Sequence, residues 1–281
     1  MSAPARPPEG GAPSLGEDVA QRQEGTPVSA TARGSGGDAG AASMPVIRLD
    51  GVEVVLRGRR VLHSVTGGFE AGSLTAIVGA NGAGKSTLLK AVMGLVPLAC
   101  GDIELAVERQ RIAYLAQQSG IERSFPLSVL DCVLLGFWPR VSLWRRVGRE
   151  QRERALEALA GVGLADVAER PVGALSAGQF QRMLFVRVQL QDAGIILLDE
   201  PFNAVDARTT DELLEIVARW HGEGRTVAAV LHDHAQVRAH FPSTLLLAQA
   251  PVAWGDTDAV LCAENLRRAG NQTRAWDARA A

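Results

Sequence analysis

The segment Gly79-Ala-Asn-Gly-Ala-Gly-Lys-Ser86 constrains what this chain can fold into more than any other feature. It matches the pattern GxxxxGK[ST] and lies between the apolar run Leu74–Val78 and a helical pattern at about 86–94. Glycines in such a loop let backbone N–H groups converge on phosphate oxygens, because no Cβ blocks the approach. The positive end of the following helix adds to the attraction. The sequence therefore predicts a strand, a phosphate-binding loop and a helix, in that order.

Individual side chains of the loop have expected contacts with a nucleoside triphosphate. Lys85 is expected to reach the β- and γ-phosphates, the Ser86 hydroxyl to ligate Mg²⁺, and Thr87 to contact the α-phosphate. The predicted nucleotide-binding residues of this segment are Gly79, Asn81, Gly82, Ala83, Gly84, Lys85, Ser86 and Thr87.

A second apolar run, Ile195–Leu198, ends on the carboxylates Asp199 and Glu200. A buried parallel strand that stops on two acids places them at the carboxyl edge of its sheet, beside the phosphate loop. Asp199 would then hold the Mg²⁺ shell, and Glu200 would be free to act as general base on the attacking water. The alternative, a pair of acids at a helix N-terminus, does not account for the loop at 79–86.

The remaining pattern indicates an α/β fold. Four short apolar, β-branched runs have the composition of buried strands: Val52–Leu56, Leu74–Val78, Ile195–Leu198 and Thr226–Leu231. Helical patterns alternate with them at about 86–94, 149–161, 178–191, 208–222 and 258–268. Such alternation predicts a sandwich of helices around a mostly parallel sheet. The stretch from about 118 to 177 looks helical throughout, so we expect a helical subdomain inserted into the sheet domain.

Composition narrows the function classes. The formal net charge of −2 provides no basic field of the kind that nucleic-acid-binding domains use, so no nucleic-acid partner is expected. The three cysteines, Cys100, Cys132 and Cys262, are scattered singly, which fits a reducing compartment. The sequence contains no apolar run near the roughly 20 residues that cross a bilayer. Work at a membrane would therefore require a partner protein.

Residues 1–44 differ in composition from the rest of the chain. They are dominated by Ala, Gly, Pro and Ser, and Leu15, Val19 and Val28 are their only bulky aliphatic residues. Such a segment buries too little apolar area to offset its ordering entropy, so we predict a disordered tail. Met44 is an alternative translation start. The folded domain is expected at 45–268, followed by a flexible C-terminal tail at 269–281.

The segment Leu175-Ser-Ala-Gly-Gln179 resembles the signature motif of ABC ATPases, and it precedes Asp199 by about twenty residues, as in that family. An ordinary helix start with a capping serine is the alternative. The resemblance implies that Ser176, Gly178 and Gln179 contact ATP held by a second copy of the chain. Three further segments lie along the chain in the order that the family has.

Those segments contain Gln117, which resembles the Q-loop glutamine, Asp206, which resembles the D-loop aspartate, and His232, which resembles the switch histidine. The resemblance implies a P-loop NTPase fold of the ABC type, ATP and Mg²⁺ as ligands, and a dimer that encloses two ATP molecules. It implies catalytic roles for Glu200, His232 and Gln117, and a Mg²⁺ site at Ser86, Gln117 and Asp199. Asp206 would contribute to the nucleotide site across the dimer interface.

The chain departs from the family pattern at four positions. Ala177 replaces the first glycine of the signature, and Ala116 replaces the usual proline before Gln117. Asn203 stands where serine or threonine is common. Leu56 occupies the position at which many relatives stack an aromatic ring on adenine. None of these changes removes a catalytic group. The sequence leaves undecided how closely the signature packs on the γ-phosphate and whether a side chain stacks on adenine.

Two segments resemble the metal-uptake branch of the family, and the zinc-uptake ATPases most. They are Arg123–Trp138, with Trp144 shortly after, and Val252–Leu266. Their apolar residues are also consistent with ordinary core. The resemblance implies a subunit at the cytoplasmic face of the cell membrane, where it energises a permease supplied by a periplasmic metal-binding protein. Manganese or iron import, or a soluble ABC ATPase without a transport role, are the alternatives.

Because of their composition, residues 1–44 should be dispensable for folding and for ATP turnover. A chain beginning at Met44 is expected to keep its melting temperature within a few degrees of the full chain and its ATPase rate within about twofold. Differential scanning fluorimetry and a phosphate-release assay on both chains provide the comparison. A large loss in either quantity would show that the tail packs on the domain.

Overall fold

A computed structural model describes residues 45–117, 126–140 and 148–280 of the chain. The predicted disordered segment 1–44 and two parts of the predicted helical subdomain, 118–125 and 141–147, lie outside these residues. The strands are β1 (Pro45–Leu56), β2 (Arg59–Glu70), β3 (Leu74–Val78), β4 (Cys100–Leu105), β5 (Ile112–Leu115), β6 (Ile195–Asp199), β7 (Thr226–Val230), β8 (Ser243–Ala248) and β9 (Ala250–Asp256). The helices are α1 (Lys85–Val92), α2 (Val129–Leu134), α3 (Arg149–Gly161), α4 (Ala177–Gln191), α5 (Ala207–Gly222), α6 (His234–His240), α7 (Thr257–Val260) and α8 (Ala263–Ala280).

The larger sheet has 6 strands in the order β5-β6-β7-β3-β8-β9. All neighbouring pairs are parallel except β8 and β9, which are antiparallel. The strands β3, β6 and β7 are buried at every position, which explains their continuous apolar runs in the sequence. The predicted α/β fold with a mostly parallel sheet is therefore confirmed.

Hydrophobic cores lie on both faces of this sheet, because successive residues of a strand point to opposite sides. In β6, Ile196 and Leu198 belong to the core formed with α4 and α5, whereas Ile195 and Leu197 belong to the core that contains α1. All four side chains are at most 3% exposed. Burial of each contributes about 1.5–3 kcal/mol to folding. These cores hold the strand ends in the positions that the site uses.

A second sheet of 3 strands, in the order β2-β1-β4, packs its apolar face on α1 and is antiparallel. The sequence indicated only the second half of β1, at Val52–Leu56, and did not indicate β2 or β4. Since one face of an antiparallel sheet can meet water, its strands mix apolar and polar residues and lack an apolar run. The burial pattern of β2, in which buried positions are separated by exposed ones, shows this directly.

The C-terminal region also differs from the expectation. The helix expected at 258–268 is two helices, α7 and α8, with Leu261 and Cys262 between them. The Asn265 side chain of α8 donates to the carbonyl oxygens of Ala259 and Val260 in α7. The segment 269–281, which we predicted to be a flexible tail, is helical as far as Ala280. Its alanine, arginine and glutamine residues are good helix formers, although its polarity resembles that of a tail.

The three cysteines differ in accessibility, which makes the packing of α2 testable. Cys132 is 0% exposed and its burial raises the pKa of its thiol, whereas Cys100 and Cys262 are exposed. Because the thiolate is the reactive form, two thiols of the native protein should react rapidly with Ellman's reagent and the third only after unfolding. Cys132→Ser should leave the native count unchanged and lower the denatured count by one. Equal reaction of all three thiols in the native protein would contradict the burial of Cys132.

Candidate active site

The loop between β3 and α1 has a backbone that only glycine accommodates at its two ends. Gly79 has φ +154° and Gly84 has φ +92°, both in the left-handed half of conformational space. A Cβ on Gly79 would collide with the carbonyl oxygen of Leu247, and one on Gly84 would lie 2.5 Å from Leu62 Cδ2. The close packing of β8 and β2 around the loop therefore requires these glycines.

Other predicted residues of the loop lie where the pattern places them. Asn81 and Gly82 are exposed at its tip, Ala83 is buried, and Ser86 and Thr87 are half-buried in the first turn of α1. This arrangement leaves the tip and the start of the helix open to a ligand.

Lys85 lies inside the curve of the loop. Its Nζ donates to the carbonyl oxygens of Gly79 at 2.9 Å and of Ala80 at 3.0 Å, and the residue is 5% exposed. Burial lowers the pKa of this ammonium, and the nearby carboxylates Glu200 and Asp199 oppose the shift. A desolvated cation held in this way is suited to phosphate oxygens, which would complete its hydrogen bonds.

Ser86 and Asp199 are in direct contact. The Ser86 hydroxyl donates to Asp199 Oδ1 at 2.7 Å, and the Tyr114 hydroxyl lies 3.4 Å from Oδ2. Asp199 is 1% exposed, and burial raises the pKa of its carboxyl, although the Ser86 hydrogen bond opposes the shift. A hydroxyl and a carboxylate side by side form the hard oxygen donor set that Mg²⁺ prefers. These two residues therefore fit the predicted Mg²⁺ site.

Three predicted catalytic residues converge because their strands are neighbours. Gln117 follows β5, Glu200 follows β6, and His232 follows β7, and these parallel strands are adjacent in the sheet. Parallel neighbours end at one edge, so residues that are far apart in sequence meet there. The His232 Nε2 donates to Glu200 Oε1 at 2.7 Å, and the Gln117 Nε2 donates to Oε2 at 2.5 Å.

The carboxylate of Glu200 is thus held from two sides. The Asn203 amide also lies within reach, at 3.4 Å from Oε2. The Glu200 side chain is 12% exposed, and its backbone has φ +52°, a conformation that non-glycine residues adopt at a cost. Oε1, which accepts from His232, keeps a second lone pair that can accept from a water molecule. The geometry therefore suits a general base.

A cavity of about 790 Å³ opens beside these groups. It is lined by Asn81 of the loop and by Gln117, Glu200 and His232 at the sheet edge. Its volume lies within the range of small-molecule sites. The loop tip and the predicted base thus face one space.

The signature segment forms the start of α4. Ser176 caps the helix, since its Oγ accepts from the Gln179 N–H at 3.2 Å, and Gln179 Oε1 accepts from the Ser176 N–H at 3.0 Å. The structure thus shows the helix start with a capping serine, and because a capped helix start can also face an anion, contact with ATP stays a prediction. Ala177 is exposed in the first helical turn, so its methyl group fits there without a steric clash within the chain.

The starts of α4 and α5 are packed against each other. A Cβ on Gly178 would lie 3.0 Å from Thr209 Oγ1, so any larger residue would push on α5. Thr209 in turn holds Asp206, whose carboxylate accepts from the Thr209 N–H at 3.0 Å and from its hydroxyl at 2.8 Å. Those hydrogen bonds, the backbone one first, lower the pKa of Asp206. Ser176 and Asp206 are exposed. The two hydrogen bonds described above join Ser176 to Gln179 within the first turn of α4.

Sequence reasoning missed two contacts of the site. Tyr114 supports Asp199, and the Gln181 side chain donates to the carbonyl oxygen of Pro201 at 2.6 Å, which ties α4 to the residue after Glu200. The tyrosine could have been noticed from its position on β5, three residues before Gln117. The role of Gln181 has no sequence signal, because it depends on how α4 packs on β6.

Comparison with known proteins gives a consistent result. The model of the family described as ABC transporter matches residues 62–203. The manganese transport system ATP-binding protein MntB of Bacillus subtilis is 39% identical over 227 residues, covering 79% of this chain and 91% of that protein. The zinc transport system ATP-binding protein TroB of Treponema pallidum is 35% identical over 257 residues, covering 85% of this chain and 97% of that protein.

A solved structure agrees with these relatives. A putative metal-chelate type ABC transporter in an inward-facing conformation aligns with a TM-score of 0.72 and 28% identity, covering 81% of this chain and 90% of that chain. The similarity extends over most of the folded part of the chain.

The geometry at Glu200 predicts a separation of binding from hydrolysis. Glu200→Gln keeps the shape and the hydrogen bond from Gln117 but removes the basic oxygen, so the variant should bind ATP and hydrolyse it at least about 100-fold more slowly. Phosphate release and the affinity for a fluorescent ATP analogue measure the two quantities. Glu215→Gln, an exposed position on α5, is the matched control and should hydrolyse at the wild-type rate.

In size-exclusion chromatography with ATP and Mg²⁺, the Glu200→Gln variant should elute as a dimer, because unhydrolysed ATP holds the two copies together. A monomer with near-wild-type turnover would remove Glu200 from the role of base.

Proposed function

The chain belongs to the ABC transporter family, and from that premise we propose that it energises the import of a divalent metal, with zinc as the cargo. As a member of this family it is an ATPase coupled to transport. The observation that carries the proposal is the convergence of Gln117, Glu200 and His232 at one sheet edge beside the phosphate loop. The names of the relatives support a metal as the cargo.

Manganese is the alternative cargo, because relatives named for manganese and for zinc match at similar identity, 39% and 35%. The present chain supplies force rather than metal selectivity, so its own site does not discriminate between the two metals. We keep zinc as the proposal to be tested.

The residues of the site divide the hydrolysis of ATP among them. Lys85 binds the β- and γ-phosphates through its buried ammonium. Ser86 and Asp199 would hold the Mg²⁺ that accompanies ATP, which would supply positive charge beside the phosphate oxygens. Glu200 accepts a proton from the attacking water while His232 orients the carboxylate.

Gln117 is placed to report the state of this site. Its amide donates to Glu200, and α2, in the predicted helical subdomain, begins at Val129, twelve residues later in the chain. We infer that Gln117 completes the Mg²⁺ and water contacts when ATP is bound. The same glutamine would pass the change on to the permease through the helical subdomain.

A second copy of the chain completes the site. Ser176, Gly178 and Gln179 lie at the exposed N-terminus of α4, a position suited to the γ-phosphate of ATP held by a partner copy. Asp206 lies beside them at the start of α5. We propose that two chains enclose two ATP molecules and that hydrolysis requires the dimer.

The proposed partners in the membrane are a permease and, indirectly, a periplasmic metal-binding protein. In the part of the chain that the structure describes, every helix is too short or too polar to cross a bilayer. We propose that the chain binds the permease at the cytoplasmic face of the cell membrane.

Disruption of the gene should impair growth under zinc chelation, and added zinc but not manganese should restore it, because loss of the motor stops import of its cargo. Growth curves across a chelator series, with each metal added back, measure the effect. Rescue by manganese or iron alone would reject zinc and leave the metal importer. Unchanged growth under limitation of all three metals would reject metal uptake.

Complementation provides the control for this experiment. A plasmid with the wild-type gene or with Glu215→Gln should restore growth under chelation, and one with Glu200→Gln should not. Restoration by Glu200→Gln would show that the growth defect is independent of ATP hydrolysis.

A further inference from the structure

The turn between β8 and β9 supports both ends of the phosphate loop, although it lies more than 160 positions later in the chain. At the first end, Gly79 packs so closely on the Leu247 carbonyl that a Cβ would not fit. At the second end, the Gln249 N–H donates to the Ala83 carbonyl oxygen at 2.9 Å. These two contacts therefore restrict the backbone conformation of the phosphate loop at both of its ends.

Gln249 also ties the loop to the smaller sheet. Its carbonyl oxygen accepts from the His63 N–H of β2 at 2.7 Å. Leu62, the neighbour of His63, is the residue that packs on Gly84. One residue thus joins the loop, β2 and the β8–β9 turn.

The backbone of Gln249 carries these contacts in a strained conformation. Gln249 has φ +61° and is 6% exposed, so a polar residue is buried in the left-handed region. Non-glycine residues adopt this conformation only when the surrounding structure holds them there. Here the conformation directs the N–H at Ala83 and the carbonyl oxygen at His63 simultaneously.

We propose that Gln249 is a positioning residue for ATP binding, which acts through its left-handed backbone by fixing the Ala83–Gly84 end of the phosphate loop. It does not touch the nucleotide itself. The inference rests on ATP binding at this loop and is independent of which metal is transported.

Three substitutions separate the backbone from the side chain. Gln249→Gly keeps the left-handed conformation and both main-chain hydrogen bonds, whereas Gln249→Val disfavours the conformation strongly because its side chain is β-branched. Gln249→Asn tolerates the conformation and retains an amide. Gln249→Ala is a milder version of the valine change, for use if the valine variant does not fold.

Binding of a non-hydrolysable ATP analogue with Mg²⁺ should weaken about tenfold in Gln249→Val and remain within about threefold of wild type in the glycine and asparagine variants. The KM for ATP should rise in the valine variant by a similar factor while kcat changes little, since the catalytic groups of the sheet edge are untouched. Isothermal titration calorimetry and steady-state phosphate release measure these quantities.

Asp192→Val is the matched control, because Asp192 also has a left-handed backbone, with φ +48°. It follows the last residue of α4 and lies at the amino end of β6, whereas the site lies at the carboxyl end. This variant should lower the melting temperature without changing the affinity for the analogue. Wild-type affinity in both the valine and alanine variants of Gln249 would overturn the inference, as would equal losses in the glycine and valine variants. Failure of the wild-type protein to bind the analogue would instead reject the proposed ATP-driven function.

Discussion

The parallel hydrogen bonding of β3, β5, β6 and β7 is the constraint on which the site depends. Asp199 pairs with Val230 and Leu115 with Leu198, so β5, β6 and β7 end at one edge in register. A shift of one residue between neighbours would turn every side chain to the other face and separate Gln117, Glu200 and His232. The two cores on either face of the sheet hold this register, and the chemistry at the edge follows from it.

The phosphate loop depends on a different set of contacts. Its glycines allow close approach, but the packing comes from Leu62 of β2 and from Leu247 and Gln249 at the end of β8. The smaller antiparallel sheet therefore helps to shape the phosphate loop, because β2 lies against the loop where the helix α1 begins. Both sheets must be in place for the anion site to have its shape.

The sequence predicted the mostly parallel α/β fold correctly, whereas its assignment of chemistry to the site residues stays a prediction. The loop at 79–86 and the pair Asp199 and Glu200 could be read because phosphate chemistry requires those residues at those spacings, and the structure brings them together. The strands β3, β6 and β7 were visible because strands buried on both faces are apolar throughout. The strands β2, β4, β5, β8 and β9 were not indicated, although β8 is buried over most of its length.

The contacts made by Gln181 and Gln249 could not be predicted for a further reason. Each depends on which elements become neighbours in three dimensions, and the residue types themselves are common in unrelated positions. Gln249 shows this most clearly, since nothing in a glutamine between two alanines indicates a left-handed backbone. The helix that continues to Ala280 was missed because a polar helix and a polar tail share a composition.

The left-handed backbone of Glu200 has a consequence for how this chain can change over time. A residue held at φ +52° costs on the order of 1–3 kcal/mol, and glycine at position 200 would relieve that strain. The hydrogen bonds that Glu200 accepts offset part of this cost, and in its proposed role as general base, selection for turnover also retains the glutamate. Duplicated copies of such a gene whose products no longer take part in transport should lose this carboxylate early, while the fold around it persists.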